Sequence, residues 1–531
     1  MPGGPWLPYD GGMNHLHTGG TMAAQHRSAF RAFAGREALV GGGVRWSYAG
    51  LAERCHRMAR YFQSLGLGRQ DGIAMLAGNT PEAVVVVVAA QLLGLRYTAL
   101  HPMGALEDQG FVLRDAGIRL LVVDGARFAG RGAELAALGI ARTVVSLGPA
   151  PFGADAVAAS AAFDGSETPI EVQPDDVHKI SYTGGTTGRS KGVVHRQRTA
   201  LTMLLQQLGG WEWPAPARCL VATPISHAGG SLVLPTLLRG GTLVLADKFS
   251  PASFLQTVQD ERISVTFLVP TQIYALLDCA DRARYDLSSL QLVLYGAAPI
   301  APARLAEALR VFGPIFGQIY GQAEAPMTIA YLRRDEHDPQ RPALLQSCGR
   351  PLPGNEVRLL DAQLREVPPG EVGELCVRGP LVMDGYLNRP EETAKALAGD
   401  WLHTGDMARM DGQGYLYLVD RAKDMIITGG FNVYSTEVEA CLALHPAVAQ
   451  SAVIGVPDAK WGEAVLAVVV PRPGAARPEP QELMAFVQQH KGPVLAPKAV
   501  RFADALPLTP LGKVDKKTLR AQFWQGRERL V

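Results

Sequence analysis

Between about Ser47 and Tyr320, short apolar runs alternate with longer stretches whose apolar positions recur at helical spacing. Gly72–Leu76 has the length and composition of a buried strand, and Gly78–Asn79 turns the chain after it. Thr80 can cap, and Pro81 can open, a helix running to about Leu95. A second helix near Leu106–Asp115 leads into the β-rich run Leu120–Val123. The rhythm returns as strand Thr242–Ala246, helix Pro251–Glu261, strand Val265–Val269, helix Thr271–Leu277, strand Leu290–Leu294 and helix Ala303–Val311. Such alternation predicts an α/β fold of mostly parallel sheets covered by helices on both faces.

Past Pro351 the pattern shortens to β-type runs broken by Gly and Pro, as at Pro368–Pro369–Gly370 and Asp411–Gly412. An antiparallel, barrel-like part is expected over about 351–420. After Asp420, helix Ser435–Ala443, strands Val448–Ile454 and Ala464–Val470, and helix Pro480–Gln489 predict a small α+β unit, with Pro471–Pro480 as a loop. A chain of 531 residues exceeds what one core usually supports. The expected division is a large domain, 1–420, and a small one, 421–531.

Composition narrows the function classes. A net charge of +1 gives no electrostatic basis for binding nucleic acid or an anionic membrane. The six cysteines, Cys55, Cys219, Cys279, Cys348, Cys376 and Cys441, include no C-x-x-C pair. No disulfide framework or zinc site is expected, and a reducing, cytoplasmic setting suits the chain. Met1–His17 is rich in Gly and Pro without a signal-peptide apolar stretch, and the strongly apolar run Ala83–Ala90 is too short to span a bilayer. No transmembrane segment is expected.

The most informative segment is Ser181–Gly192, Ser-Tyr-Thr-Gly-Gly-Thr-Thr-Gly-Arg-Ser-Lys-Gly. Gly184, Gly185 and Gly188 allow tight turns and close approach to a ligand. The hydroxyls of Thr183, Thr186 and Thr187 and the loop N–H groups can donate to phosphate oxygens, and Lys191 adds a mobile positive charge. The segment is not a Walker A loop, because two residues separate Gly188 from Lys191 and Gly192 follows the lysine. A surface loop also collects Gly, Ser and Thr, but this order favours a phosphate cradle. The segment resembles the phosphate loop of the adenylate-forming superfamily: acyl- and aryl-CoA synthetases, nonribosomal peptide adenylation domains and firefly luciferase. Ser190 stands where that family carries proline.

The resemblance extends over nearly the whole chain and is nearest to the AMP-forming acid–CoA ligases. Pro224–Gly230 resembles the acid-pocket segment, which implies that His227 lines the carboxylate site beside Ala228, Gly229 and Gly230. Tyr295–Ile300 resembles the adenine-binding turn, with Gly296, Ala297, Ala298 and Pro299 against the purine. Tyr295, Gly296, Gly321 and Pro326 would complete the acid pocket. Ile319–Glu324 resembles the family's Tyr-Gly-x-Thr-Glu. It implies Tyr320 stacked on adenine, Gly321, Gln322 and Ala323 along the nucleotide, and Glu324 holding Mg²⁺. Ala323 replaces the usual threonine. In Trp401–Asp406, Asp406 would accept hydrogen bonds from the ribose hydroxyls. Arg421 would contact ribose or phosphate, and Lys423 would be the hinge on which a mobile small domain turns. Thr428–Asn432 resembles the loop forming the thiol tunnel, with Gly429, Gly430 and Phe431. Ser435 replaces a proline common two residues before the family's glutamate, here Glu437. Pro507–Lys513 resembles Pro-x-Thr-x-x-Gly-Lys, making Lys513 the adenylation lysine.

The implied reaction needs no side-chain nucleophile. A substrate carboxylate attacks the α-phosphate of ATP. Mg²⁺ on Glu324, with Lys513, Thr183, Thr186 and Thr187, offsets the charge that builds there. The small domain then turns, and a thiol attacks the acyl-adenylate. Coenzyme A is the favoured thiol. A free-standing carrier protein is the alternative, and a catalytically weak sensor of nucleotide or acyl-adenylate, suggested by Ala323, is a second. A homodimer is an assembly common in the family. Ala228 stands where amino-acid-activating relatives carry an aspartate for the α-ammonium, so an acid without an α-amine is expected. Gly229, Gly230, Gly296 and Gly321 would leave room for a medium chain or an aromatic ring.

Overall fold

The computed structural model describes residues 20–183, 190–421, 424–429, 431–458, 460–509 and 514–524. Two large sheets carry the first part of the chain. One has nine strands in the order Arg350–Pro351, Ala325–Leu332, Phe316–Gln322, Leu292–Tyr295, Val265–Leu268, Arg218–Val221, Thr242–Leu245, Glu37–Gly41 and Val44–Ser47. Its inner strands are parallel, and antiparallel pairs close both edges. The other has eight, in the order Gly385–Tyr386, Lys191–Arg196, Val177–Thr183, Arg96–Ala99, Gly72–Leu76, Ile118–Asp124, Thr143–Leu147 and Ala154–Asp155. It is parallel except at its first two pairings.

The sheets share one core, in which Ile73 and Leu120 meet Leu243, Val265 and Leu294. The helix Pro81–Leu92 belongs to it, capped by the Thr80 hydroxyl, which accepts the Ala83 N–H at 3.1 Å. Its valines are buried around most of its circumference, so this helix has no polar stripe and is marked in sequence by its cap, not by periodicity. The predicted strand at 290–294 lies at Leu292–Tyr295.

The expected barrel-like part is a four-stranded antiparallel sheet, Glu356–Leu360, Gly373–Arg378, Leu402–Met410 and Leu416–Arg421 in spatial order. Among the described residues no pairing joins its first strand to its last. Beyond it a separate C-terminal domain forms a five-stranded sheet around the long hairpin Val448–Asp458 and Gly462–Pro471. Helices Ser435–Leu442 and Pro480–Lys491 cover one face of it through Val438, Leu442, Leu483 and Val487. Leu519 of helix Lys516–Ala521 packs with Ile454 and Leu466 in a second cluster. The hairpin runs beyond the predicted strand because pairing continues to Asp458 and Gly462, past Pro457. Among the described residues no helix is long and apolar enough to cross a membrane.

Candidate active site

The strands Val177–Thr183 and Lys191–Arg196 pair antiparallel with Thr183 opposite Lys191, so both ends of the glycine-rich segment are held in register. Gly184, Gly185, Thr186, Thr187 and Gly188 lie outside the described residues, as do Lys423, Gly430 and Lys513. The Lys191 Nζ stands 5.0 Å from the centre of the Tyr386 ring, and the Tyr386 hydroxyl donates to Glu324 Oε1 at 2.7 Å. Tyr386 comes from a two-residue strand that pairs with Lys191–Arg196. Glu324 Oε2 has no hydrogen-bond partner among the described residues, which leaves a carboxylate oxygen of the kind a hard cation takes.

Asp406 is buried where two strands of the four-stranded sheet meet the nine-stranded one. Its Oδ2 accepts the Tyr320 hydroxyl at 2.7 Å, and Arg421 Nε lies 3.3 Å from Oδ1. Burial, then the Asp406 charge, push the Tyr320 phenol well above its ordinary range. The bulge that turns the strand Leu402–Met410 just before Asp406 is held from beneath. Glu374 Oε1 accepts the Gly405 N–H at 2.9 Å, and Glu374 Oε2 meets His403 Nδ1 at 2.7 Å. Gly405 has φ +69°, so the turn suits a residue without Cβ. A carboxylate has about four acceptor sites, so Asp406 keeps capacity beyond Tyr320 and Arg421.

Among the acid-pocket candidates, His227 Nδ1 shares a 2.8 Å hydrogen bond with Ser226 Oγ, and its ring meets His101 edge-on at 5.1 Å. Burial, then the charge of Lys179, then His101, lower the His227 pKa to about 3, so the ring is neutral at neutral pH. The Ala323 carbonyl accepts from His195 Nε2 at 2.7 Å, and burial lowers the His195 pKa to about 4. Ala297, in the adenine-turn candidate, has φ +67°, an uncommon and strained conformation for a residue with a side chain.

The family model of the AMP-binding enzymes matches residues 26–387, and that of the AMP-binding enzyme C-terminal domain matches 437–513. The chain belongs to the AMP-binding enzyme family. The medium/long-chain-fatty-acid–CoA ligase FadD8 of Mycobacterium tuberculosis (strain ATCC 25618 / H37Rv) is 46% identical, covering 97% of this chain and 91% of its own. Feruloyl-CoA synthase of Amycolatopsis sp is 37% identical over 91% of this chain and 95% of its own. The solved structure of the amide bond synthetase McbA from Marinactinospora thermotolerans matches with a TM-score of 0.88 at 36% identity, over 94% of this chain and 99% of that one.

Within this AMP-binding enzyme two expectations change. Tyr295, expected in the acid pocket, has 0% exposure and sits in the second core with Val293 and Phe316. Its hydroxyl lies 2.9 Å from both Gln318 Oε1 and His337 Nε2. Strand alternation explains this, since Val293 and Tyr295 share a face and Leu292 and Leu294 take the other. The four glycines expected to make room for the acid have another cause. A Cβ at Gly229, Gly296 or Gly321 would lie 2.4 Å from Thr223 O, Ile319 O or Met327 N, and one at Gly230 would lie 2.2 Å from Ile225 O. Main-chain crossings require them. Ala228 packs partly buried against the shared core, and Pro326 is likewise half-buried.

The C-terminal domain brings residues that the motifs did not mark. Gly429 has φ +57°, donates its N–H to Trp461 O at 2.8 Å, and would place a Cβ 2.6 Å from the Trp461 ring. Phe431 beside it is 60% exposed. The Ser435 hydroxyl donates to Asp420 Oδ2 at 2.8 Å, and the Ser435 N–H donates to the same oxygen. A proline there could supply neither bond. Lys516 Nζ donates to Ser435 Oγ at 2.7 Å and pairs with Glu439 at 2.7 Å, while Glu437 pairs with Lys491 at 2.9 Å.

Proposed function

We propose that this AMP-binding enzyme is an ATP-dependent, AMP-forming acid–CoA ligase. It converts a carboxylic acid and ATP to an acyl-adenylate and pyrophosphate, then passes the acyl group to the thiol of coenzyme A with release of AMP. The observations that support this reading are three local arrangements. These are the Asp406–Tyr320–Arg421 set, Glu324 with an unpaired oxygen, and the Thr183 and Lys191 ends of the glycine-rich loop.

In this reading Asp406 takes the ribose hydroxyls and Arg421 stays beside them, while Tyr320 and the Gly296–Pro299 turn bound the adenine. Gln322 and Ala323 run along the nucleotide. The acid carboxylate attacks the α-phosphate directly, and proximity supplies much of the rate. Lys513 and the donors of Thr183, Thr186, Thr187 and the loop glycines stabilise the charge developing there. Glu324 would hold magnesium through its unpaired oxygen, and magnesium supplies charge neutralisation on the ATP phosphates when bound. His227, neutral in its pocket, can orient the carboxylate by hydrogen bonding without adding a competing charge. The small domain, 421–531, then turns at Lys423, withdrawing Lys513 and bringing Gly429, Gly430 and Phe431 to line the thiol path.

Ala228 supports an acid without an α-amine, because it offers no carboxylate to a buried ammonium. The medium/long-chain fatty-acid and feruloyl substrates of the two relatives agree with that. The six free cysteines fit action in a reducing cytoplasm.

The test is pyrophosphate release from ATP across a panel of fatty, aryl and amino acids, with and without coenzyme A. Release with one acid class, and thioester only with coenzyme A, is the expected result. Release without thioester moves the acceptor to a carrier protein or an amine. No release with any acid, while nucleotide still binds, overturns the ligase and favours a nucleotide sensor.

A further inference from the structure

Tyr97, Lys179 and His195 stand in one row across three adjacent strands of the eight-stranded sheet, as register partners Tyr97 with Lys179 and Lys179 with His195. Partners in register present their side chains on the same face. The Tyr97 hydroxyl and His195 Nδ1 are buried, and neither has a hydrogen-bond partner among the described residues. The Lys179 ammonium makes no hydrogen bond or ion pair with a described residue, and burial alone acts on it, lowering the pKa to about 8. Buried polar groups are normally matched, and an enclosed cation normally has a counter-ion. Here three adjacent side chains break that rule together.

The row faces the same cleft. Alternation puts Ser181 and Thr183 on the same face as Lys179, so the row lies roughly 13 Å, at about 3.3 Å per residue, below the start of the phosphate loop. His195 reaches across to the Ala323 carbonyl with Nε2, which fixes the proton there and leaves Nδ1 as an acceptor. The Lys179 charge is the largest electrostatic contribution to lowering His227, ahead of His101 in ring contact with it. Tyr97 lies in the core shared by both sheets, against which Ala228 and Met327 also pack. Lys179 keeps some accessible surface.

We propose that Lys179 is a specificity residue of the acid pocket, receiving an oxygen function (carboxylate, keto or hydroxyl) that the acid carries at a distance from the carboxyl being activated. The Tyr97 hydroxyl flanks that oxygen, and His195 Nδ1 accepts from it when it is protonated or from Lys179 when it is not. An alkyl tail would leave all three groups unmatched. The assignment rests on the ligase reading only for placing the acid in this cleft.

Matched acids test it: octanoate with octanedioate, decanoate with decanedioate, dodecanoate with dodecanedioate, and the ω-hydroxy and oxo acids of the same lengths. The readouts are kcat and KM for pyrophosphate release, and the shift in melting temperature caused by each acid without ATP. The wild-type enzyme is expected to favour the oxygenated member of at least one pair by about tenfold or more, mostly in KM. Lys179→Met should abolish the preference, and Lys179→Gln should retain part of it. Equal loss on both members of every pair, or a wild-type preference for the plain acid at every length, overturns the proposal. If no acid releases pyrophosphate the ligase reading fails, and the melting shifts decide Lys179 independently. A shift given by an oxygenated acid and lost in Lys179→Met upholds the site, and its absence overturns it.

Discussion

The two sides of the cleft treat their polar groups in opposite ways. On the nucleotide side Asp406, Tyr320 and Arg421 hold one another, and Tyr386 holds Glu324 while lying under Lys191. On the acid side the Tyr97 hydroxyl, the Lys179 ammonium and His195 Nδ1 lie adjacent with no match among the described residues. A ligand common to a whole family can be met by donors and acceptors preorganised through internal pairing, at little cost when it arrives. A ligand peculiar to one enzyme is met by groups left open for it. On the proposed assignments, the contrast separates what binds ATP from what chooses the acid.

The largest expected effect lies on the nucleotide side. Lys513→Ala should lower the adenylation half-reaction by about 1,000-fold, while thioester formation from supplied acyl-adenylate falls far less. Pyrophosphate exchange and thioester assays compared on the same variant check this, and equal loss in both would remove the two-state alternation. Next comes Asp406→Ala, which strands the buried Tyr320 hydroxyl and Arg421. A loss of about 2–3 kcal/mol, or roughly 30- to 150-fold in kcat/KM for ATP, is expected.

The acid side should answer in stability. The Lys179 pKa lies at about 8 when folded, against an ordinary value of 10.5. That difference corresponds to a cost of at most about 3 kcal/mol for carrying the charge inside at neutral pH. Lys179→Met should therefore stabilise the unliganded protein by about 1–3 kcal/mol in urea unfolding at pH 7. The folded pKa is the lower one, so between pH 8 and 10.5 the unfolded chain binds more protons. Wild-type stability should rise through that window, and the variant should lack the rise. The groups around the ammonium do not titrate within it. His178, His195 and His227 are already neutral, with pKa values of about 3 to 4, His26 likewise at about 4, and His101 is lowered by burial. Burial pushes the Tyr97 phenol above the window.

The smallest effect should come from Tyr386→Phe. Losing one hydrogen bond to Glu324 should cost about 1 kcal/mol, or roughly fivefold, seen as a higher magnesium requirement with little change in the KM for the acid.

Much of the fold is legible in the sequence because strand and helix signals agree locally. Gly72–Leu76 ends at a Gly–Asn turn, Thr80 caps the helix after that turn, and Leu106–Asp115 is helical over the expected span. Asp406, Glu324 and the glycine-rich loop are marked as candidates through the family resemblance, since their spacing matches the family's motifs. Tyr386 is not. It reaches Glu324, 62 residues away, only through the pairing of a two-residue strand, and no local pattern announces that. Trp461 depends in the same way on the Gly429 turn. Tyr295 is misplaced by the motif although period-two alternation carries the information, because its position beside a known turn outweighs the face it shares with Val293. Lys179 has a signal too, a charged residue inside a strand that also carries Ile180 in the core.

Ser435 bears on how freely the parts of this enzyme can be exchanged. Its N–H and hydroxyl satisfy Asp420 in the last strand of the four-stranded sheet, and the same hydroxyl accepts from Lys516 near the end of the chain. A chimera that joined this large domain to a relative's small domain carrying proline at that position would bury the Asp420 carboxylate with two donors missing. At about 1–3 kcal/mol for each unsatisfied group, the graft would begin life with much of a domain's stability spent at the seam. Recombination is therefore easier at a crossover point beyond the Ser435 helix than between Asp420 and Ser435, because the acidic residue and its donors then travel together.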